Sequence, residues 1–173
     1  MSDRTLVTYA SRRGSTRDIA DAIANTLTQA GLTVDVRSVG EVTCLAPYRA
    51  AIIGSGVRRS GFLPEALAFI ERNAPHLAGI PVAYFAVCGL LKRDTPRTRV
   101  AASHFTDRAL KAAPAVSPVA RASFAGRYEA PAMCPFMRLI TRWKLFPSGD
   151  WRDWNAVRTW AEGLLPAITA PRP

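Results

Sequence analysis

The sequence predicts an α/β fold: a doubly wound, five-stranded parallel sheet in the order 2-1-3-4-5, with a helical insert before the last helix. Three observations carry this. Short apolar runs alternate with segments whose apolar residues recur every three to four positions. Two of the runs, 50–54 and 81–87, are apolar almost throughout, as strands covered on both faces must be. The first strand-to-helix turn is dense in hydroxyls, arginine and glycine, which is anion-binding chemistry at the carboxyl end of a strand.

The first strand is 5–9. Residues 16–30 then place Ile19, Ile23 and Leu27 on one helical stripe, with Gly31 as the stop. Residues 32–36 alternate as a strand with Val34 and Val36 on one face, and 50–54 form the third strand. A helix follows at 63–73, with Leu63, Leu67 and Ile70 inward and Pro64 at its first position. The fourth strand is 81–87, a helix covers 95–112, and a weaker strand covers 117–124. The closing helix spans 151–168, with Asp150 as its cap.

A chain of 173 residues favours one domain, here 1–168, carrying an insert at 131–149 and a loose tail at 169–173. The balance of 23 Lys plus Arg against 13 Asp plus Glu gives +10 and predicts attraction to anions. It does not make a nucleic-acid binder: the arginines are scattered over several elements, with no helix-turn-helix or stacking-aromatic pattern. Cys44, Cys88 and Cys134 are distant from one another and form no C-x-x-C pair, and His76 and His104 add no ligand spacing, so neither a disulfide framework nor a metal site is expected. The N-terminus leads straight into a strand and lacks the apolar core of a signal peptide. Residues 73–91 carry no formal charge, but Pro75, Gly79 and Pro81 make them a helix end, a turn and a strand.

The turn Ser11-Arg12-Arg13-Gly14-Ser15-Thr16 has two compatible readings. In one, Gly14 permits a tight turn, and the hydroxyls and helix N–H groups hold a phosphate. In the other, Ser15 with Asp18 three residues on is an ordinary capping box. Rival phosphate motifs are absent. No glycine precedes a lysine–hydroxyl pair as in a Walker loop, and Gly54-Ser55-Gly56 leads into no immediate helix as a dinucleotide fingerprint would.

Residues 7–23 resemble the flavodoxin signature: apolar residues with Tyr9, then Ser11, Gly14, Thr16, Ala20 and Ile23, with Thr8 where an apolar residue is usual. Within flavodoxin-like proteins the chain is most similar to the menaquinone-dependent protoporphyrinogen oxidases, through segments 9–16, 52–58, 95–98, 136–140 and 153–154. The resemblance implies FMN as cofactor. Ser11, Arg12, Arg13, Gly14, Ser15 and Thr16 would wrap its phosphate. Ser55, Gly56, Val57 and Arg58 would touch the isoalloxazine edge, and Val87, Cys88, Gly89 and Leu90 would form a second flavin loop. Arg13 stands where an acidic residue is expected, and the loop after Cys88 is short. The resemblance further implies electron transfer from a porphyrinogen-like substrate to a quinone, with Arg58 and Arg59 near substrate carboxylates. No side chain is singled out as catalytic.

The insert carries Phe136, Leu139, Ile140 and Trp143 on one stripe, with Arg138, Arg142 and Lys144 mainly off it. A stripe of this kind packs on its own domain or, as 134–146, rests on an anionic membrane surface. Trp151 either reaches the flavin side or anchors the last helix, and Trp154 is read as an anchor. Cys88 is read as a small buried residue rather than a reactive thiol. The expected setting is the cytoplasm, or the inner membrane face if the stripe meets lipid, and a homo-oligomer is compatible with it. The rival reading is an FMN electron carrier for an acidic redox partner, whose binding would fall with salt.

Overall fold

The computed structural model describes residues 4–59, 61–128 and 149–170. Its elements are β1 (Arg4–Ala10), α1 (Ser15–Gln29), β2 (Thr33–Ser38), β3 (Tyr48–Gly56), α2 (Pro64–Arg72), α3 (Ala74–Leu77) and β4 (Val82–Cys88). There follow α4 (Pro96–Ser103), α5 (Asp107–Ala112), β5 (Ala120–Ala125), β6 (Arg127–Tyr128), β7 (Gly149–Asp150) and α6 (Trp154–Thr169). Five strands pair in the order β2-β1-β3-β4-β5, every pair parallel, as the alternation of patterns predicts.

The sheet is buried on both faces. Leu6, Ile53, Tyr84, Phe69 and Ile70 form the core beneath α2 and α5. Val7, Ile52, Phe85, Ile19, Ile23 and Val157 form the other, beneath α1 and α6. Phe85 sits in an aromatic group with Phe124 and Trp160, whose ring centroids lie 6.3 and 6.2 Å from its own. Gly54 makes room for it: a Cβ there would lie 1.9 Å from Phe85 Cζ. Burying a ring of this size is worth about 1.5–3 kcal/mol, so the bare backbone at residue 54 is what lets the sheet carry it. Thr5 and Thr8 of β1 are fully buried, and neither hydroxyl has a hydrogen-bond partner among the described residues.

Three expectations need correction. The helix expected over 95–112 is broken by a 3-10 turn at His104–Thr106. Ser103 Oγ donates to Val100 O at 2.7 Å and Thr106 Oγ1 to Ser103 O at 3.2 Å, and such short-range bonds to the backbone tighten the chain. The last helix starts at Trp154, not 151, and its cap is Asp153, whose carboxylate accepts from the N–H groups of Asn155 and Ala156, each at 3.0 Å. Asp150 is not the cap because Arg152 holds its carboxylate. The helix also runs to Thr169, into the expected tail, and Ala170 O accepts from Arg49 Nη2 at 2.9 Å.

The stripe Phe136, Leu139, Ile140 and Trp143, like Cys134, lies outside the described residues. Its attachment does not. Arg127 pairs with Asp150 and Tyr128 with Gly149 in a two-stranded antiparallel ribbon that the sequence pattern did not reveal. No described helix is long and apolar enough to cross a membrane.

Candidate functional site

Strand order reverses between β1 and β3: β2 lies to one side of β1, and β3, β4 and β5 to the other. Loops leaving the carboxyl ends of β1 and β3 therefore diverge and open a crevice. A cleft of about 510 Å³ lies there, bounded by the β1–α1 turn, the β3–α2 loop, the end of β4 and the return chain after β5.

The β1–α1 turn is built around Gly14, at φ 83°, a left-handed conformation in which a side chain is strained. Ser11 Oγ accepts from Gly14 N–H at 3.0 Å, which folds the turn back on itself. Gly14 is also the N-cap of α1 and offers no side-chain acceptor, so the N–H groups of the first turn are left without one. The capping-box reading is thus overturned. Ser15 is already inside the helix, and its Oγ instead accepts from Arg127 N–H at 2.9 Å, latching the β6–β7 ribbon to the turn. Asp18 turns to Arg152, 2.6 Å away.

The other walls are held in register with the sheet. Val57 N–H donates to Val87 O at 2.9 Å, and Gly126 N–H to Cys88 O at 3.1 Å, so the ladder continues past the named strands into the loops. Thr16 Oγ1 approaches Gly56 closely enough that a Cβ there would lie 3.4 Å from it. Gly126 is similarly crowded, 3.1 Å from both Ser15 Oγ and Val87 Cγ1 by the same measure. Trp151 packs its ring on Gly149 and lines the cleft, whereas Trp154 is half exposed beneath the Arg152 guanidinium, 4.6 Å from its ring centroid.

The structure brings Ser11, Arg12, Arg13, Ser15, Thr16, Gly56, Val57, Arg58, Val87, Cys88 and Gly89 to the cleft. Three expected residues do not line it. Gly14 shapes the turn from behind. Ser55 is buried, its Oγ donating to Gly56 O at 2.8 Å and accepting from Leu63 N–H at 2.9 Å. Leu90 opens a 3-10 turn, exposed to solvent. Leu63, Gly126 and Arg127 line the cleft without having been anticipated. The signal available for Gly126 was a lone glycine closing the fifth apolar run, where a strand gives way to a carboxyl-end loop.

Charge in the cleft is one-sided. Among the described residues Arg12, Arg13, Arg58 and Arg127 line it and no carboxylate does, although Arg12 Nη2 reaches Glu65 Oε2 on α2 at 3.2 Å. Cys88 is buried at the end of β4, and desolvation pushes its thiol up, so it is protonated at neutral pH. His76 and His104 are exposed, away from the cleft; no group of metal-ligating side chains occurs among the described residues.

A cleft at the switch point of a 2-1-3-4-5 sheet, floored by an uncapped helix N-terminus, defines a mononucleotide-binding α/β protein. The chain belongs to the flavodoxin domain family, whose profile it matches over residues 6–143, and its cofactor is FMN. The free helix N–H groups, flanking hydroxyls and arginines suit that cofactor's phosphate, and the cleft has room for more than a phosphate. The chain is 27% identical over 97 residues to protoporphyrinogen IX dehydrogenase [quinone] of Escherichia coli (strain K12), covering 55% of this chain and 54% of that protein. It is 36% identical over 86 residues to probable flavodoxin 1 of Bacillus subtilis (strain 168), covering 47% and 54%. Each match thus spans about half of the curated relative's length. A flavodoxin from the domain Archaea superposes with a TM-score of 0.60 at 16% identity, covering 96% of this chain and 99% of the other. Rubredoxin oxygen:oxidoreductase of Desulfovibrio gigas gives 0.62 at 16% over 97% of this chain and 36% of that one.

Proposed function

We propose that this chain is an FMN-dependent oxidoreductase of the protoporphyrinogen dehydrogenase kind, passing electrons from a porphyrinogen-like substrate to a quinone. The observation that carries it is the cationic cleft at the switch point, with an uncapped helix N-terminus at one end and arginines on its walls. FMN, when bound, supplies the hydride and electron chemistry. The protein supplies binding and field. First-turn N–H groups of α1, with Ser11, Arg12, Arg13, Ser15 and Thr16, hold the phosphate, and Gly14 sets the turn that presents them. Gly56, Val57, Arg58, Val87, Cys88 and Gly89 border the ring system; Ser55 acts indirectly, by bracing the β3–α2 loop. The positive wall favours a reduced, anionic cofactor. Domain 1–168 with its insert is the working unit, in the cytoplasm, with 134–146 as its point of contact with the inner membrane face.

A second reading, a flavodoxin-like carrier for an acidic partner protein, is favoured by the 36% identity to probable flavodoxin 1. One experiment separates them. The purified protein is reconstituted with FMN, recognised by absorbance near ~450 nm that bleaches on reduction, and given protoporphyrinogen and a quinone. Turnover above the uncatalysed rate supports the enzyme; bound FMN with no turnover leaves the carrier; no bound FMN removes both.

A further inference from the structure

We propose that Trp151 is the aromatic face on which the flavin ring system stacks, carried into the cleft by the β6–β7 ribbon. Among the described residues that line the cleft, Trp151 alone bears an aromatic ring. The loops at the carboxyl ends of the strands supply none. The turn after β1 is Ser11-Arg12-Arg13-Gly14, and the chain after β4 runs Gly89-Leu90-Leu91-Lys92-Arg93-Asp94. Phe62, in the β3–α2 loop, is turned into the core, where it packs edge-on against Tyr84 with ring centroids 6.1 Å apart. Nor is Trp151 spent on anchoring the last helix. Trp160 does that, meeting Phe85 and Phe124 beneath α6. Trp151 precedes the helix and stays half-buried at the cleft.

The ring's position is built from both sides. Gly149 of β7 leaves bare backbone against it: a Cβ there would lie 2.6 Å from Trp151 Cζ2 and 2.9 Å from Cη2. The next residue, Arg152, is tied to Asp150 and, at 2.6 Å, to Asp18 in the first turn of α1. On the ribbon's other strand, Arg127 N–H donates to Ser15 Oγ at 2.9 Å. The ribbon is thus fastened twice to the helix end that suits a phosphate, and the indole it carries is held in register with that end. An indole carries no charge and accepts no strong hydrogen bond, so it has nothing to add to phosphate binding. Its large face instead offers dispersion and stacking to a planar heteroaromatic ring. Val57, Leu63 and Val87 line the same cleft and suit the same flat guest. The partner of Trp151 is therefore the ring end of the cofactor. This inference rests on the flavin cofactor and is independent of which substrate and acceptor the cleft serves.

The test is a titration of the full-length, flavin-free protein with FMN, followed by flavin fluorescence, and separately with inorganic phosphate, followed by equilibrium dialysis. Trp151→Leu should weaken FMN binding about tenfold, the scale of one lost stacking partner, and leave inorganic phosphate unchanged. Bound flavin should also emit more brightly in that variant, because a stacked indole quenches flavin emission by electron transfer. Trp151→Phe keeps a smaller ring and should fall between on both readouts. Trp154→Leu removes an indole that lies under Arg152 outside the cleft and should change neither. The proposal is overturned if Trp151→Leu binds FMN like wild type, or if its bound flavin is as dark as in wild type. It is equally overturned if inorganic phosphate weakens in proportion to FMN, which would mean that the ring only props the turn after β1. A loss in Trp154→Leu to match would overturn it as well. Wild type that binds inorganic phosphate but no FMN removes the ring's partner and the cofactor together.

Discussion

Arg152 Nη1 donates to Asp18 Oδ2 at 2.6 Å, joining the segment that leads into the last helix to the first turn of the helix at the cleft floor. Only 8% of the Arg152 side chain is exposed. It also holds Asp150 through both carboxylate oxygens and covers Trp154. Trp151, one residue earlier, is thereby fixed where it lines the cleft. The arrangement spans 134 positions of sequence, and both acids keep a third or more of their side-chain surface in water.

Arg152→Met is therefore expected to destabilise the protein by about 1–2 kcal/mol, less than a fully buried pair because the acids stay partly solvated. For a chain of this size that is a fall of roughly 2–8 °C in Tm. The effect should depend on pH with a defined sign. Arg152 holds the Asp150 carboxyl at about 2 against an ordinary 3.8, chiefly by hydrogen bonding. A depressed carboxyl stabilises the fold above its unfolded pKa and loses that contribution as pH falls through the folded value. The gap in Tm between wild type and Arg152→Met, measured from pH 6 downward, should narrow between about pH 4 and 2; a constant gap would assign the loss to packing alone.

Gly14→Ala tests the turn. A Cβ at 14 would meet nothing within 4 Å, so the cost is conformational only: φ 83° penalises an L-residue by roughly 1–2 kcal/mol. The backbone can relieve that strain only by tilting the first-turn N–H groups. FMN affinity, followed by quenching of its fluorescence, should drop more than tenfold, with Gly14→Asn less affected because Asn tolerates this region. Equal affinity in all three proteins would detach the turn from cofactor binding.

Thr8→Val is expected to stabilise. The Thr8 hydroxyl is buried without a partner, and removing an unsatisfied group of nearly the same shape recovers part of a penalty of about 1–3 kcal/mol. Thermal unfolding should shift upward by a few degrees. A downward shift would show that the hydroxyl has a partner in solution.

The two described thiols should differ sharply in reactivity. In a Cys134→Ser background, iodoacetamide at pH 7.5 should label exposed Cys44 within minutes and leave Cys88 intact in the folded protein, as peptide mass mapping would report. Prompt labelling of Cys88 would mean an open strand end and a lower thiol pKa than its burial implies.

The strands were legible because their physics is local. The apolar runs in β3 and β4 are buried on both faces, and the glycine after the first helix marks its end. Legibility failed where a side chain's partner is remote. Ser15 reads as a cap only until the chain beyond β5 brings Arg127 N–H to its hydroxyl. Asp150 reads as the cap of the last helix in sequence; in the fold Arg152 takes its carboxylate, and Asp153 caps the helix instead. Most expected cleft residues lie in loops directly after predicted strands, where topology alone places them. Arg127 reaches its place through a chain return that no window of sequence contains.

The antiparallel pairing of Tyr128 with Gly149 has a consequence for how this protein can change. The chain runs out of the described domain at Tyr128 and returns beside it at Gly149, so the two ends of the twenty intervening residues are held side by side. Loop-closure entropy grows only with the logarithm of length, about 0.6 kcal/mol per doubling. The length of chain between those paired ends can therefore vary at little cost while the sheet and the turn after β1 are inherited unchanged.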